Sequence, residues 1–452
     1  MRAWERVFRI AIVMVGGYLL NAALYLFDEG AASGLGQLPA VQRVVIPTVC
    51  VAWLGCLLAR RLHREQRPGA PLSRRLTVAG TVALLGPFVV GPLITFARHP
   101  LLFAVCVPTT GFGLWAMYTI QRYRRVPVWL YLAVFAFGAI IAVSMCGDIN
   151  ELFARWSLAW YDTFSDDNHI EATLAVRPLR GINAGIVEEL VKGAGVAIAC
   201  LLARRHIDGA VSGAVLGAAC GLGFNFTETI LYMSNGDEGA AAQYFGRQIV
   251  GLLAAHTAFS AILGAAIGAA VQTRDRRIRR TAIICGALAA VGGHACYDAF
   301  NFTQNDLLPA VSDLVQLLVV LPASILLLQG PLIVMRVLLT RHGLRTQAAG
   351  LTTELWSETS AATAITPPEV PILLDPRQRQ ALHIAALRLH GIPAYRNLRR
   401  LHAAQLDLAA YRWHHTRAET TDGLGHDQLD ILRDRIDQHK HRHAVLTAEA
   451  PR

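Results

Sequence analysis

Apolar residues along this chain gather into long runs separated by short segments rich in arginine or acid. Ten runs approach the length of a membrane crossing: 10–27, 44–59, 77–96, 101–120, 128–145, 182–203, 209–233, 249–271, 281–302 and 308–339. A crossing helix needs about 20 residues. Pro87, Pro92, Pro108 and Pro322 fall within these runs and are expected to kink them, which packed helices in a membrane tolerate. The pattern predicts an all-α fold, a polytopic transmembrane helical bundle of about ten spans. Past residue 341 the pattern changes. Pro367, Pro368, Pro371 and Pro376 mark a linker, and stretches 377–416 and 427–443 carry helical spacing, which predicts a C-terminal helical cytoplasmic tail. The expected organisation is five spans (1–146), an extracytoplasmic loop (147–181), a four-span core (182–303), a last span (304–340) and the tail (341–452).

Charge then sets the orientation. Arg2, Arg6 and Arg9, the Arg60–Arg75 cluster, Arg122, Arg124 and Arg125, Arg204 and Arg205, and the Arg274–Arg280 cluster occupy alternate loops. Asp148, Glu151, Asp162, Asp166, Asp167, Glu171, Asp237 and Glu238 occupy the loops between. By the positive-inside rule, both termini are expected in the cytoplasm of a multi-pass cell-membrane protein, as an even number of spans requires. The formal net charge of +10 therefore follows from topology and does not imply a nucleic-acid partner. Only 16% of residues are charged, against about 25% in soluble proteins, which excludes an ordinary soluble enzyme. The eight cysteines lie in or beside apolar runs with no CxxC pair, so neither a disulfide framework nor a zinc–thiolate site is indicated. The His-rich tail reads as a solvated basic face rather than a metal site.

The first five spans carry almost no ionisable residues, and the next four carry a concentrated set. A charged group at mid-bilayer costs about 2.5 kcal/mol or more, so each needs a reason. Span six holds Glu188, Glu189 and Lys192, and span seven ends with Phe224, Asn225 and Glu228. Span eight holds His256 and Ser260, and span nine holds His294 and Asp298. With the orientation above, these groups lie about 6–12 Å below the outer surface at 1.5 Å per residue, although their helices alternate in direction. Glu188–Lys192, Phe224–Glu228, His256–Ser260 and His294–Asp298 are i,i+4 pairs that share a helix face. Gly213, Gly217, Gly221, Gly223, Gly264 and Gly268 would let neighbouring helices approach closely. One polar site, reached from the outer side, is the expectation.

Glu-Glu-x-x-Lys, Phe-x-x-x-Glu within GLGFNFTETILY, the histidine of HTAFS and His-x-x-x-Asp occur in order on successive spans. Together they resemble the PrsW family of intramembrane proteases, which is related to CAAX-processing and bacteriocin-processing membrane proteases. The resemblance covers 181–302. Thr229 departs from it, standing where asparagine is expected, and the tail lies outside it. The resemblance implies hydrolysis of a membrane-anchored protein near the outer leaflet, with an anti-sigma factor or a similar single-span protein as substrate. It gives catalytic roles to Glu188, Glu189, Lys192, Glu228, His256, His294 and Asp298.

Glu188 is then the base that activates water, because the related proteases place this glutamate on the water-binding face, with Glu189 as the secondary candidate. Lys192 can pair with Glu189 or Glu188. Two mechanisms stay open. In one, His256, His294 and Glu228 hold Zn2+ with one position free, and Asp298 orients His294. In the other no metal takes part, and the histidines bind the water and the developing oxyanion. No HExxH motif forces a metal. Asn225, Ser260 and Arg247 are candidates for substrate contact, with interhelical hydrogen bonding or snorkelling as their structural alternatives. A proton-coupled transporter would use the same residue types, but is expected to place them at the midplane in related halves of the chain. A catalytically silent scaffold presenting the tail is a third reading. The expected partners are the bilayer and a membrane-anchored protein substrate.

Overall fold

A computed structural model describes residues 2–26, 40–162, 169–235, 239–307, 312–361, 364–416 and 425–448. Among the described residues there is no strand. Helices α1 (Arg2–Leu26), α2 (Ala40–Gln66), α3 (Arg74–Leu85), α4 (Val90–Arg98) and α5 (Pro100–Tyr118) are followed by α6 (Val128–Ala136) and α7 (Val143–Asp162). Pro87 lies in the tight turn Gly86–Val89 between α3 and α4, where its missing N–H breaks the regular ladder. Next come α8 (His169–Leu202), α9 (Ala210–Asn235), α10 (Ala240–Tyr244), α11 (Ala255–Gln272) and α12 (Arg276–Leu307). The chain ends with α13 (Asp313–Val315), α14 (Leu321–Ser324), α15 (Gly330–Ala361), α16 (Glu369–Leu374), α17 (Pro376–Thr416) and α18 (Gly425–Ala448).

Among the described residues, nine helical runs are long and apolar enough to cross a membrane, and the chain is a multi-pass membrane protein built as a helical bundle. Helix α8 is a further long one at 34 residues, but Glu188, Glu189 and Lys192 interrupt its apolar stretch. Helix α9 is the central one, 94% buried along its apolar window. Its glycines explain how it packs. A Cβ on Gly213, Gly217 or Gly221 would collide with the backbone oxygens of Gly264, Ser260 and His256, so α9 and α11 meet backbone to backbone. Gly181 and Gly185 bring α8 equally close to Ala299 and Ala295 of α12. These two contacts draw the polar residues of four helices together.

The structure departs from the sequence reading in three places. The expected outer loop 147–181 is helical in α7 and α8, apart from 163–168, which lie outside the described residues. The run 249–271 is not one helix: the chain leaves a wide π turn at Phe245–Val250 and breaks before α11 begins at Ala255. The last span does not stop near 340, because α15 continues to Ala361 and joins the bundle to the C-terminal unit. Gly343 allows α15 to touch Val211 of α9, and Gly350 makes room for Trp413 of α17.

The C-terminal residues form a packed unit rather than a linker with solvated helices. Leu351, Leu355, Ile365, Val370, Leu373, Leu401, Leu408, Leu432 and Ile436 share a core, with Tyr123 packed against it. Helix α17 bends at Gly391, whose φ of 76° suits a residue without a side chain. The unit docks through Asp208. Its Oδ1 accepts from Arg124 Nη1 at 2.9 Å and from His414 Nε2 at 2.8 Å, and its Oδ2 accepts from Gln347 Nε2 at 3.1 Å. Burial alone would raise this carboxyl's pKa, but Arg124 and His414 hold it below the ordinary value. Three further histidines of the unit have protein partners: His383 Nε2 lies 2.9 Å from His402 Nδ1, and His439 Nδ1 lies 3.0 Å from Asn397 Oδ1.

Burial, with nearby arginines, pushes His383 and His402 down to about 4 from the usual 6.5. The unfolded chain therefore takes up protons first as pH falls. The stability these neutral histidines contribute is complete above pH 6.5 and is lost progressively toward pH 4. Hydrogen exchange corrected for intrinsic rates is expected to show residues 376–416 losing protection between pH 7 and about pH 4.5, ahead of the spans. Equal protection at both pH values would contradict this.

Candidate active site

The polar residues of α8, α9, α11 and α12 meet in one cluster. Two neighbouring glutamates on α8 point to different partners. Glu189 Oε1 lies 2.5 Å from Lys192 Nζ and 3.0 Å from His294 Nδ1, and its Oε2 accepts from Ser260 Oγ at 3.0 Å. Glu188 Oε1 accepts from Asn150 Nδ2 at 3.0 Å. Glu188 Oε2 lies 3.7 Å from His256 Nδ1, 3.7 Å from His294 Nε2 and 3.5 Å from Lys192 Nζ. Lys192 thus pairs most closely with Glu189, is 3.2 Å from His256 Nδ1, and lies 4.3 Å from the centre of the Phe224 ring. Glu188, Glu189, Lys192, His256 and His294 are all buried.

The two imidazoles are braced by aromatic rings. Phe259 stacks on His294 with ring centres 4.9 Å apart, and Phe224 lies 5.1 Å from His256. Beyond His256 stands Glu228, whose Oε2 is 2.7 Å from His256 Nε2 and 2.7 Å from Arg247 Nη1. Arg247 also lies over the Tyr232 ring, so it is tied into the site's edge. Asn225 donates to the Arg247 carbonyl at 3.2 Å. Ser260 braces Glu189, and Asn225 braces the chain before the helix break.

That break has its own supports. Ala255 has a φ of 37°, a strained value for a residue with a side chain. Its N–H donates to Gln329 Oε1, and the Leu253 carbonyl accepts from Arg336 Nη1 at 2.7 Å. Irregular backbone inside a membrane protein needs such partners. The break places His256 in the first turn of α11, facing Glu188 and Glu228.

Two placements differ from the sequence reading. The carboxylate on His294 Nδ1 is Glu189, whereas Asp298 Oδ2 sits 3.2 Å from Nε2. The three-donor group among the described residues is Glu188, His256 and His294, with ligand atoms within 4.8 Å of one another; Glu228, expected in this set, is engaged by Arg247 instead. Asn150 was missed because it lies in the stretch 147–181 read as a loop, and Asn183 because a lone uncharged amide at the start of the run 182–203 carries no sign of a role. Gln329 and Arg336 were missed because the last span gives no periodic sign of a role.

Comparison with known proteins now adds a family. Residues 126–327 match the model of the PrsW family intramembrane metalloprotease. This segment is similar to the PrsW proteases. Searches of curated proteins and of solved structures each returned no match. Every residue of the cluster, Asn150 included, lies inside the PrsW segment, while Gln329, Arg336 and the C-terminal unit lie beyond it. The match supports an intramembrane protease activity for this segment.

The site's own chemistry tests whether a metal fits the PrsW cluster. Tetrahedral zinc with ligands at about 2.0–2.1 Å holds its donor atoms about 3.4 Å apart, close to the 3.7 Å separations of Glu188 from each histidine. His294 Nε2 is buried without a hydrogen bond, although two carboxylates approach it. With Glu189 accepting at Nδ1, a lone pair on Nε2 would face those carboxylates unless a proton or a cation lay between. Among the described residues, four carboxylates (Glu188, Glu189, Glu228 and Asp298) also face two fixed cations, Lys192 and Arg247. The donor set and its charge fit a divalent ion.

Proposed function

We propose that the PrsW domain hydrolyses a peptide bond of a membrane-anchored protein near the outer leaflet, with Glu188 activating the attacking water. The observation that carries this reading is the meeting of Glu188, His256 and His294, buried and drawn from three helices, within 4.8 Å. Asn150 engages one oxygen of Glu188, which leaves Oε2 facing both imidazoles. A carboxylate so placed takes a proton from water and later returns it to the leaving amine. His294 Nε2, which faces Glu188 and Asp298, is the atom placed to accept from the water, or when protonated to donate to the developing oxyanion, while Glu189 fixes the ring through Nδ1. Lys192 holds Glu189 and balances the acidic pair.

Zinc, when bound, would be held by Glu188, His256 and His294 and would supply Lewis acidity toward water and the scissile carbonyl, with Glu188 then serving as a ligand in place of the base. The arginine distribution supports cytoplasmic termini and an outward-facing site. Asp208, where the C-terminal unit docks, precedes α9, and Glu228 lies toward its other end, about 30 Å away at 1.5 Å per residue. A single-span protein of the anti-sigma-factor type is the substrate class that the family resemblance suggests.

The test is purified full-length protein with a panel of single-span peptides, each cut mapped by mass spectrometry and repeated with a chelator and added zinc. Cleavage near the outer end of the span is expected. Cuts confined to the cytoplasmic end, or no cleavage of any peptide, would contradict the reading.

A further inference from the structure

We propose that Asn150 is a positioning residue for Glu188, and that Asn183 positions Asn150 in turn. This rests on the peptidase reading and deepens it by making α7 part of the active site. Asn150 Nδ2 donates to Glu188 Oε1 at 3.0 Å, and Asn183 Nδ2 donates to Asn150 Oδ1 at 2.9 Å. The second hydrogen bond settles the first. With its carbonyl oxygen taken by Asn183, Asn150 must present its NH2 group to Glu188. The two amide dipoles therefore line up toward one carboxylate oxygen.

The consequence is that the two oxygens of Glu188 are no longer equivalent. Oε1 is held on the α7 side, and Oε2 alone faces Lys192, His256 and His294. A glutamate side chain has three rotatable bonds, and a second anchor removes most of the orientations in which Oε2 would miss the imidazoles. Neither asparagine touches the histidines in the contacts described above, so both act through Glu188. Partners of this kind typically change activity by about 10–100-fold when removed.

The experiment uses full-length protein in nanodiscs with a cleavable single-span peptide, and compares N150A, N183A and the double variant with the unsubstituted protein. N150A is expected to lower kcat by about 10–100-fold with KM unchanged. N183A is expected to lower kcat less, and the double variant to match N150A, because the two amides act in series. N150Q, which keeps an amide donor, is expected to recover part of the loss. An unchanged kcat in N150A, a change confined to KM, or losses that multiply in the double variant would overturn the proposal. If N150A does not fold, N183A decides alone: a lowered kcat at constant KM supports the proposal, and an unchanged kcat overturns it. Failure of the peptidase reading looks different, since the unsubstituted protein would then cleave nothing or E188Q would cleave normally.

Discussion

Glu188→Gln is expected to lower kcat by about 10³-fold while the protein still folds. Glutamine keeps the length and shape of the side chain, and its carbonyl oxygen can still accept from Asn150. What it lacks is the charged oxygen facing His256 and His294, so no group at that position can take a proton from water. Lys192 keeps its 2.5 Å partner Glu189, so the substitution strands no buried cation. Peptide cleavage followed by mass spectrometry, alongside thermal unfolding of both proteins, checks the two halves together. Loss of cleavage with an unchanged melting point is the expected pair of results. Full activity in E188Q would remove Glu188 from the chemistry.

Lys192→Met is expected to cause the largest loss of stability of any single change in the core. Lys192 and Glu189 are both wholly buried and 2.5 Å apart. Removing the ammonium leaves Glu189 with Ser260 and His294 but without its closest counter-charge. Breaking a buried pair on one side costs about 3–5 kcal/mol, because the remaining charge is uncompensated. Replacing both partners, as in K192M with E189Q, is expected to recover most of that loss, since no charge is then stranded. Denaturant unfolding in detergent micelles measures it. A K192M protein as stable as the parent, or a double variant less stable than K192M, would show that the pair does not hold the core in this way.

How much was legible in the sequence depends on how rare each signal is in its setting. Buried Glu188, Glu189, Lys192, His256 and His294 stood out because ionisable groups are costly within apolar runs. Glycines at four-residue spacing likewise announced the close contact of α9 with α11. Asn150 gave no such signal, since asparagine in a stretch rich in acids and arginine reads as loop, and Asn183, at the start of the run 182–203, is an uncharged residue that stands out far less than a charge would. The break before His256 was hidden because the residues leading into it, 249–255, are uniformly apolar, and its stability comes from Gln329 and Arg336, far along the chain.

Partner choice was the least legible feature. His294 and Asp298 are one turn apart, which suggests an intrahelical pair, yet the approach of α8 gives His294 Nδ1 to Glu189. Arg247 decided the fate of Glu228 in the same way, by packing rather than by spacing. The C-terminal core was obscure for a related reason. Leu351, Val370, Leu373, Leu408 and Leu432 are scattered among polar residues over four helices, and only their assembly reveals one apolar centre.

The central claim is that Glu188 and His294 serve one reaction site as a unit. A double-mutant cycle on kcat with E188Q, H294A and the double variant tests it most directly. Groups that act together are expected to give each single variant about a 10³-fold loss and the double variant a loss no greater than either. Losses that multiply toward about 10⁶-fold, or a single variant that cleaves as fast as the parent, would contradict it.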